Sequence, residues 1–404
     1  MPGPLTGIRV LDLSRILAGP WASQLLADLG AEVIKIERPG SGDDTRGWGP
    51  PYMPGETGEA TAESAYFHGA NRGKQSVCID MAQPAGQQLL RDLAKNCDVL
   101  IENFKVGGLN KYGLDYTRLQ ALNPALVYCS ITGFGQTGPY AARAGYDVMI
   151  QAMGGMMSIT GEADGQPMKT GVALTDVLTG LYAANAIQAA LIHRRQSGAG
   201  QYIDMALLDV QVAVLANQAM NYLASGKNPR RLGNAHPNIV PYQAFRTSDG
   251  YMMLTVGNDA QFQRFCQLAG RDDLASDQRF RENSGRVNHR DILIPQIEAV
   301  MRARTSRQWL DDLNARGIPC GPINNLDQVF ADPQVRHRGV RMQLKHPAAG
   351  RVASVANPIR YSQTPIEYGQ APPLLGQHTD EVLRRILDLD ANGIERLRRD
   401  GVIA

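Results

Sequence analysis

Residues 8–36 constrain the fold of this chain more than any other stretch. Ile8-Arg-Val-Leu-Asp-Leu13 reads as a short strand and Ser14–Gly19 as a turn. Pro20 suits the first position of a helix running to about Leu29, because its missing N–H needs no partner there. Gly30 stops that helix, and Glu32-Val-Ile-Lys-Ile36 is the next strand. A strand, a helix and a strand in this order predict a parallel pair joined by a crossover, and hence an α/β layered fold. The alternation continues, with strands at Gln75–Asp80, Asp98–Asn103, Leu126–Ile131 and Tyr202–Ala206 and a helix over Pro84–Lys95. The turn Leu17-Ala-Gly-Pro20 lacks GxGxxG, so the dinucleotide fingerprint is absent. It still lies where a parallel strand ends and a helix opens, a place suited to a nucleotide-like ligand.

A chain of 404 residues is long enough to split into two domains. The polar, glycine-rich stretch Ser225–Asn238 marks a crossing out of the first. We place a large domain at 1–224, a small domain at 225–326 and a return segment at 327–404 that completes the large one. Tyr242–Phe245 and Met252–Val256 look like hairpin strands around Ser248-Asp-Gly250.

The formal net charge is +2, with no long Lys/Arg run, which disfavours nucleic acid as a partner. Five cysteines without a CxxC pair argue against a disulfide framework or zinc knuckle and suit a reducing cytoplasm. We read no targeting peptide, and no apolar stretch reaches the roughly 18 residues a bilayer span needs. Seven histidines show no metal-ligand spacing, and GxSxG and GxxxxGK[ST] are both missing. No metal is therefore expected.

What remains is a set of scattered cations and one conspicuous carboxylate. Arg38 follows the second strand and Arg46 closes the loop Gly40-Ser-Gly-Asp-Asp-Thr-Arg46; each can grip phosphate through a two-pronged guanidinium. Asn103 and Phe104 end a strand and can hydrogen-bond and stack an adenine, or serve as an ordinary cap and core residue. Lys105 and Lys111 follow, and Thr132-Gly-Phe-Gly-Gln-Thr-Gly138 lets backbone approach a ligand. Asp176 sits in Gly171-Val-Ala-Leu-Thr-Asp176-Val-Leu-Thr-Gly180, ahead of a helix over Leu181–Ile192. Near a helix start it faces unpaired N–H groups and the positive end of the dipole, which favours an ionised side chain. The plainer reading is an N-cap aspartate.

Leu5-Thr-Gly-Ile-Arg-Val-Leu-Asp-Leu13, Ala18-Gly-Pro20, Val33-Ile-Lys-Ile-Glu-Arg-Pro-Gly-Ser-Gly-Asp43 and Glu102-Asn-Phe104 resemble the family III CoA-transferases. So do Ile131-Thr-Gly-Phe-Gly135, Thr175-Asp-Val-Leu-Thr-Gly180, Gly317-Ile-Pro-Cys-Gly-Pro322 and Leu374-Leu-Gly-Gln-His-Thr-Asp380. The likeness spans the chain and is nearest to the dicarboxylate-specific, succinyl-CoA:glutarate members. It implies a Rossmann-like parallel-sheet large domain plus a smaller α+β domain, in an interlocked homodimer. It implies Asp176 as a covalent nucleophile and coenzyme A as substrate, with no tightly bound cofactor. Leu17, Ala18, Arg38, Ile79, Asn103, Phe104, Lys105 and Lys111 match the family's CoA contacts.

Two departures stand out. Leu17 replaces a glutamine that polarises the substrate carbonyl in some members. Gly233-Asn-Ala-His-Pro-Asn238 replaces a run of glycines that forms a mobile lid in others. The α-methylacyl-CoA racemases of the same fold carry Gly-His-Asp where this chain has Gly145-Tyr146-Asp147; a tyrosine, with pKa about 10, is a poor base near neutrality. Two alternatives to dicarboxylate transfer stay open: racemisation, or transfer to an acid such as formate, oxalate or malate. A non-catalytic acyl-CoA-binding protein is a third. A dicarboxylate needs a cation for its far carboxylate, and Arg46, Arg143, Lys169 and His236 are the candidates.

Overall fold

The structure is a computed structural model that describes residues 3–404. Its chain divides into two compact units. One comprises, among the described residues, 3–156, 170–219 and 334–404, and the other 157–169 and 220–333.

The first unit is built on a six-stranded sheet. Its strands are β1 (Arg9–Asp12), β2 (Glu32–Glu37), β5 (Lys74–Cys78), β6 (Val99–Glu102), β7 (Val127–Thr132) and β8 (Tyr202–Ala206), in the spatial order β5-β2-β1-β6-β7-β8. Every neighbouring pair is parallel. All residues of β6 and β7 are buried, as expected for parallel strands covered on both faces. On one face Leu11, Ile34, Val77 and Leu100 pack against Leu89, Leu90 and Leu93 of the helix Pro84–Lys95. On the other, Val10, Val33, Val99 and Val127 pack against Ala22 and Leu26 of the helix Ala18–Asp28 and Ala183 and Ile187 of the helix Leu174–Ser197.

Those last two helices cross closely. A Cβ on Gly180 would lie 2.8 Å from the Ala18 carbonyl oxygen, so glycine is required for their approach. A hairpin of β3 (Tyr52–Pro54) and β4 (Ala60–Ser64) leaves the sheet after β2. The return segment reaches the sheet edge, where His378 N–H donates to Ser76 and Asp80 N–H donates to Val402.

The second unit holds an antiparallel sheet of β9 (Tyr242–Arg246), β10 (Tyr251–Thr255) and β11 (Cys320–Pro322), with β10 central. Phe245, Met252, Phe262, Phe265 and Trp309 form its core. A further hairpin, β12 (Arg341–His346) with β13 (Gly350–Val355), belongs to the first unit.

Three local features differ from the sequence reading. Residues 157–169 join the small unit, because Arg231 donates to the carbonyls of Glu162 and Gly165 and Gly233 N–H donates to Gly161. The expected helix Leu207–Leu223 is two helices, Leu207–Ala213 and Ala216–Ser225, broken where Ala216 takes φ +46°. The helix that carries Asp176 starts at Leu174, seven residues earlier than the sequence suggested.

Candidate functional site

The loops leaving the carboxyl ends of β1, β6 and β7 enclose a cavity of about 960 Å³. Such crevices are where open α/β sheets bind ligands, because successive loops splay apart there. Arg15, Leu17, Ala18, Asn103, Phe104, Lys105, Lys111, Arg143, Tyr146, Asp147 and Asp176 all line it. A second cavity of about 280 Å³ is lined by Arg38, Ile79 and Asp80. Arg15, Phe104 and Tyr112 line both. The eight positions matched to CoA contacts thus fall on two cavities with shared walls.

Asp176 lies in the first turn of the helix Leu174–Ser197, yet it is not the cap. The N-cap residue is Ala173, which offers no side-chain acceptor. Asp147 takes that role from another helix. Its Oδ1 accepts the N–H groups of Thr175 at 2.9 Å and Asp176 at 3.2 Å. Gln151, fully buried, donates to Asp147 Oδ2 at 2.7 Å and accepts the Thr170 N–H at 3.0 Å. Thr175 Oγ1 donates to Gln211 at 2.6 Å. The backbone of this turn is therefore pinned from both sides, while the Asp176 carboxylate itself has no hydrogen-bond partner among the described residues.

That arrangement shifts the acid. Burial, and then the nearby Asp147 charge, push the Asp176 carboxyl up to about 7. Its position near the helix start does not keep it fully ionised at neutral pH, contrary to the sequence expectation. An unpaired, half-buried carboxylate with a raised pKa in a cleft is the pattern of a reactive group.

The Arg15–Ile16 turn, on the wall of the same cavity, is also tightly held. Ile16 adopts φ +71°, a left-handed conformation rare for a β-branched residue. Asn103, expected to meet a ligand, instead directs its amide at the Arg15 backbone: Nδ2 donates to the carbonyl at 2.7 Å and Oδ1 accepts the N–H at 2.9 Å. Lys35, wholly buried, donates to the Ser14 carbonyl at 2.9 Å and to Asp43 at 2.8 Å. Burial opposes the Asp43 charge, but Lys35 and the Thr45 hydrogen bonds hold its carboxyl down at about 2.

The four candidate cations separate. Arg143 lines the cavity, exposed, with its guanidinium 3.8 Å from the Tyr140 ring centroid. Arg46 does not line it. Its Nε and Nη2 each reach Glu37 at 2.7 Å, Nη2 also reaches the Pro373 carbonyl, and the group stacks on Phe67 at 3.7 Å. It is occupied in neutralising a buried carboxylate. Lys169 and His236 belong to the second unit and do not line this cavity. His236 Nδ1 accepts the Asn238 N–H, and burial together with Arg290 lowers its pKa, so the ring is neutral near pH 7.

Sequence reasoning missed Arg15, which pairs with Asp44 at 2.7 Å on the cavity wall, and the capping role of Asp147. It also missed a cluster of Glu63, His68 and His346, whose ligand atoms lie within 4.8 Å of one another. That donor set does not suit a metal. His346 Nδ1 accepts the amides of Ala348 and Ala349, which places the ring proton on the Nε2 that faces Glu63.

With this geometry in view, comparison with known proteins defines the class: residues 5–379 match the model of CoA-transferase family III, and the chain belongs to that family. It is therefore a CoA-transferase. It is 54% identical over 383 residues to a succinate–glutarate CoA-transferase of Agrobacterium fabrum, covering 95% of this chain and 96% of that protein. It is 46% identical over 400 residues to the succinyl-CoA:glutarate CoA-transferase of Mus musculus, covering 99% and 90%. A solved CAIB/BAIF family protein from Brucella suis superposes with a TM-score of 0.84 at 51% identity, covering 96% of this chain and all of that one. No helix among the described residues is long and apolar enough to cross a membrane.

Proposed function

We propose that this enzyme moves CoA from succinyl-CoA to glutarate or a similar short dicarboxylate, with Asp176 as covalent carrier. The observation that carries this reading is the unpartnered Asp176 carboxylate in the cavity whose wall bears six of the eight expected CoA contacts. The relatives named for succinate and glutarate supply the substrate class.

Atoms balance without an external proton. The Asp176 carboxylate attacks the thioester carbonyl; an aspartyl–succinyl anhydride forms and CoA leaves as thiolate. The thiolate attacks the aspartyl carbonyl, giving an aspartyl-CoA thioester and free succinate. The acceptor carboxylate attacks that thioester, and the displaced thiolate finally attacks the acceptor's acyl carbon and frees Asp176. Each step exchanges one activated acyl bond for another, so a single nucleophile divides one difficult transfer into easier ones. Leu17 has no amide to polarise the carbonyl, and backbone N–H groups take that part.

Arg143, the one of the four candidate cations that lines this cavity, takes the far carboxylate in this reading, since Arg46 is committed to Glu37. Racemisation needs a second base. No histidine lines the cavity among the described residues, and Tyr146 is 68% exposed. The same reading takes coenzyme A only as substrate and makes the enzyme an interlocked homodimer of the cytoplasm, in keeping with five free cysteines.

The test is chemical trapping. Incubation with succinyl-CoA and then hydroxylamine or borohydride is expected to modify Asp176, seen by peptide mass. An unmodified Asp176 peptide in a turning-over enzyme, or near-normal transfer by Asp176→Asn, overturns the mechanism.

A further inference from the structure

We propose that Asn103 is a positioning residue that clamps the Arg15–Ile16 turn in its left-handed conformation, and so fixes Leu17 and Ala18 on the wall of the cavity that Asp176 also lines. The inference rests on the CoA-transfer reading of this site. Its ground is geometric. The Asn103 amide is engaged at both ends by one residue's backbone, Arg15 N–H and Arg15 C=O. A planar amide held so cannot rotate to follow a ligand. The very next residue, Ile16, sits at φ +71°, where its branched Cβ crowds the backbone. Strained backbone persists only where its surroundings over-determine it.

Here the surroundings are three. Asn103 holds Arg15, Asp43 Oδ1 accepts the Ile16 N–H at 3.3 Å, and Lys35 Nζ donates to the Ser14 carbonyl at 2.9 Å. They arrive from the loop after β6, the loop after β2 and β2 itself, so the turn is held by neighbouring strands rather than by its own sequence. Downstream, Leu17 and Ala18 line the cavity, and the Ala18 carbonyl packs where Gly180 lacks a Cβ. Release of the clamp lets Ile16 return to negative φ and swings both residues away from the Asp176 helix.

Glycine adopts positive φ freely, so the need for the clamp vanishes if residue 16 has no side chain. This gives a double-mutant cycle. Asn103→Ala is expected to lower kcat/KM for succinyl-CoA by about tenfold or more in the Ile16 protein, and by less than about threefold in the Ile16→Gly background. A residue that touches CoA directly, or merely supports the fold, gives the same penalty in both backgrounds, and that result overturns the proposal. So does a negligible penalty in the Ile16 protein. Should Asn103→Ala not fold, Asn103→Asp keeps an acceptor for Arg15 N–H and loses the donor to its carbonyl, and the same dependence on residue 16 is expected. Titration of the full chain with CoA by calorimetry reads the cycle without turnover. Asn103→Ala is expected to weaken Kd in the Ile16 protein alone, which keeps the clamp testable even if succinyl-CoA and glutarate are not the substrates.

Discussion

Asp147→Asn isolates the charge of Asp147 from its capping role. The asparagine Oδ1 still accepts the Thr175 and Asp176 amides, so the helix start is retained. The negative charge beside Asp176 is lost, together with the Gln151 Nε2 donation to Asp147 Oδ2, which lies on the far side of the carboxylate from the helix start. Asp147 Oδ1 lies 3.2 Å from the Asp176 backbone nitrogen. Taking a separation of roughly 6 Å between the two carboxyl groups, at effective dielectric constants of about 20–40 their repulsion is about 1.4–2.8 kcal/mol, or about one to two pH units. The cavity is open to water, so the lower end applies. Burial is the larger cause of the shift and survives the substitution.

On the proposed mechanism Asp176 must be ionised to attack, so activity falls as the pH drops through its pKa. In the native enzyme the acid limb of kcat/KM should bend near 7; in Asp147→Asn it should bend near 6, about one unit lower. At pH 6 the variant should therefore lose a smaller fraction of its plateau rate. Substrate ionisations are common to both enzymes and cancel in the difference. The assay is a pH–rate profile from 5 to 9 with succinyl-CoA below KM and saturating glutarate. An unmoved or raised inflection refutes the electrostatic reasoning. A collapse of activity at every pH, with the inflection unchanged, assigns Asp147 to positioning alone.

Arg46→Ala should act on stability rather than on substrate choice. It leaves Glu37 buried without its partner, at a cost of about 3–5 kcal/mol in denaturant unfolding at pH 7. Burial opposes the Glu37 charge, but Arg46 holds its carboxyl below the usual range. Its contribution is thus present above the ordinary glutamate pKa and lost as the pH falls through the native value. The deficit of the variant should narrow in acid, and a deficit independent of pH counts against the pair. Arg143→Ala should raise KM for glutarate about three- to tenfold, the worth of a solvent-exposed charged contact, while KM for succinyl-CoA changes less. Steady-state kinetics with each substrate varied settle it; equal losses for both place Arg143 on CoA or on the fold.

The sheet was legible because its information is local. Val33-Ile-Lys-Ile36 is apolar on both faces and Gly30 breaks the chain before it, so strand and crossover follow from short windows. Lys35 already hinted at more, since a lysine inside such a strand demands a buried partner. The partner, Asp43, lies on a loop that sequence reads only as flexible. The same gap explains the misplaced cation: Arg46 looks free until the structure sets Glu37 beneath it. Asp176 was visible as an isolated carboxylate near a helix start, whereas its ionisation was not. A helix start seen alone favours the charged form. The structure instead sets Asp147, 29 residues away in sequence, on the backbone N–H groups of that turn. The cap that a local reading assigned to Asp176 is supplied by a remote residue, and this leaves the Asp176 side chain without a hydrogen-bond partner among the described residues, free for the role proposed for it.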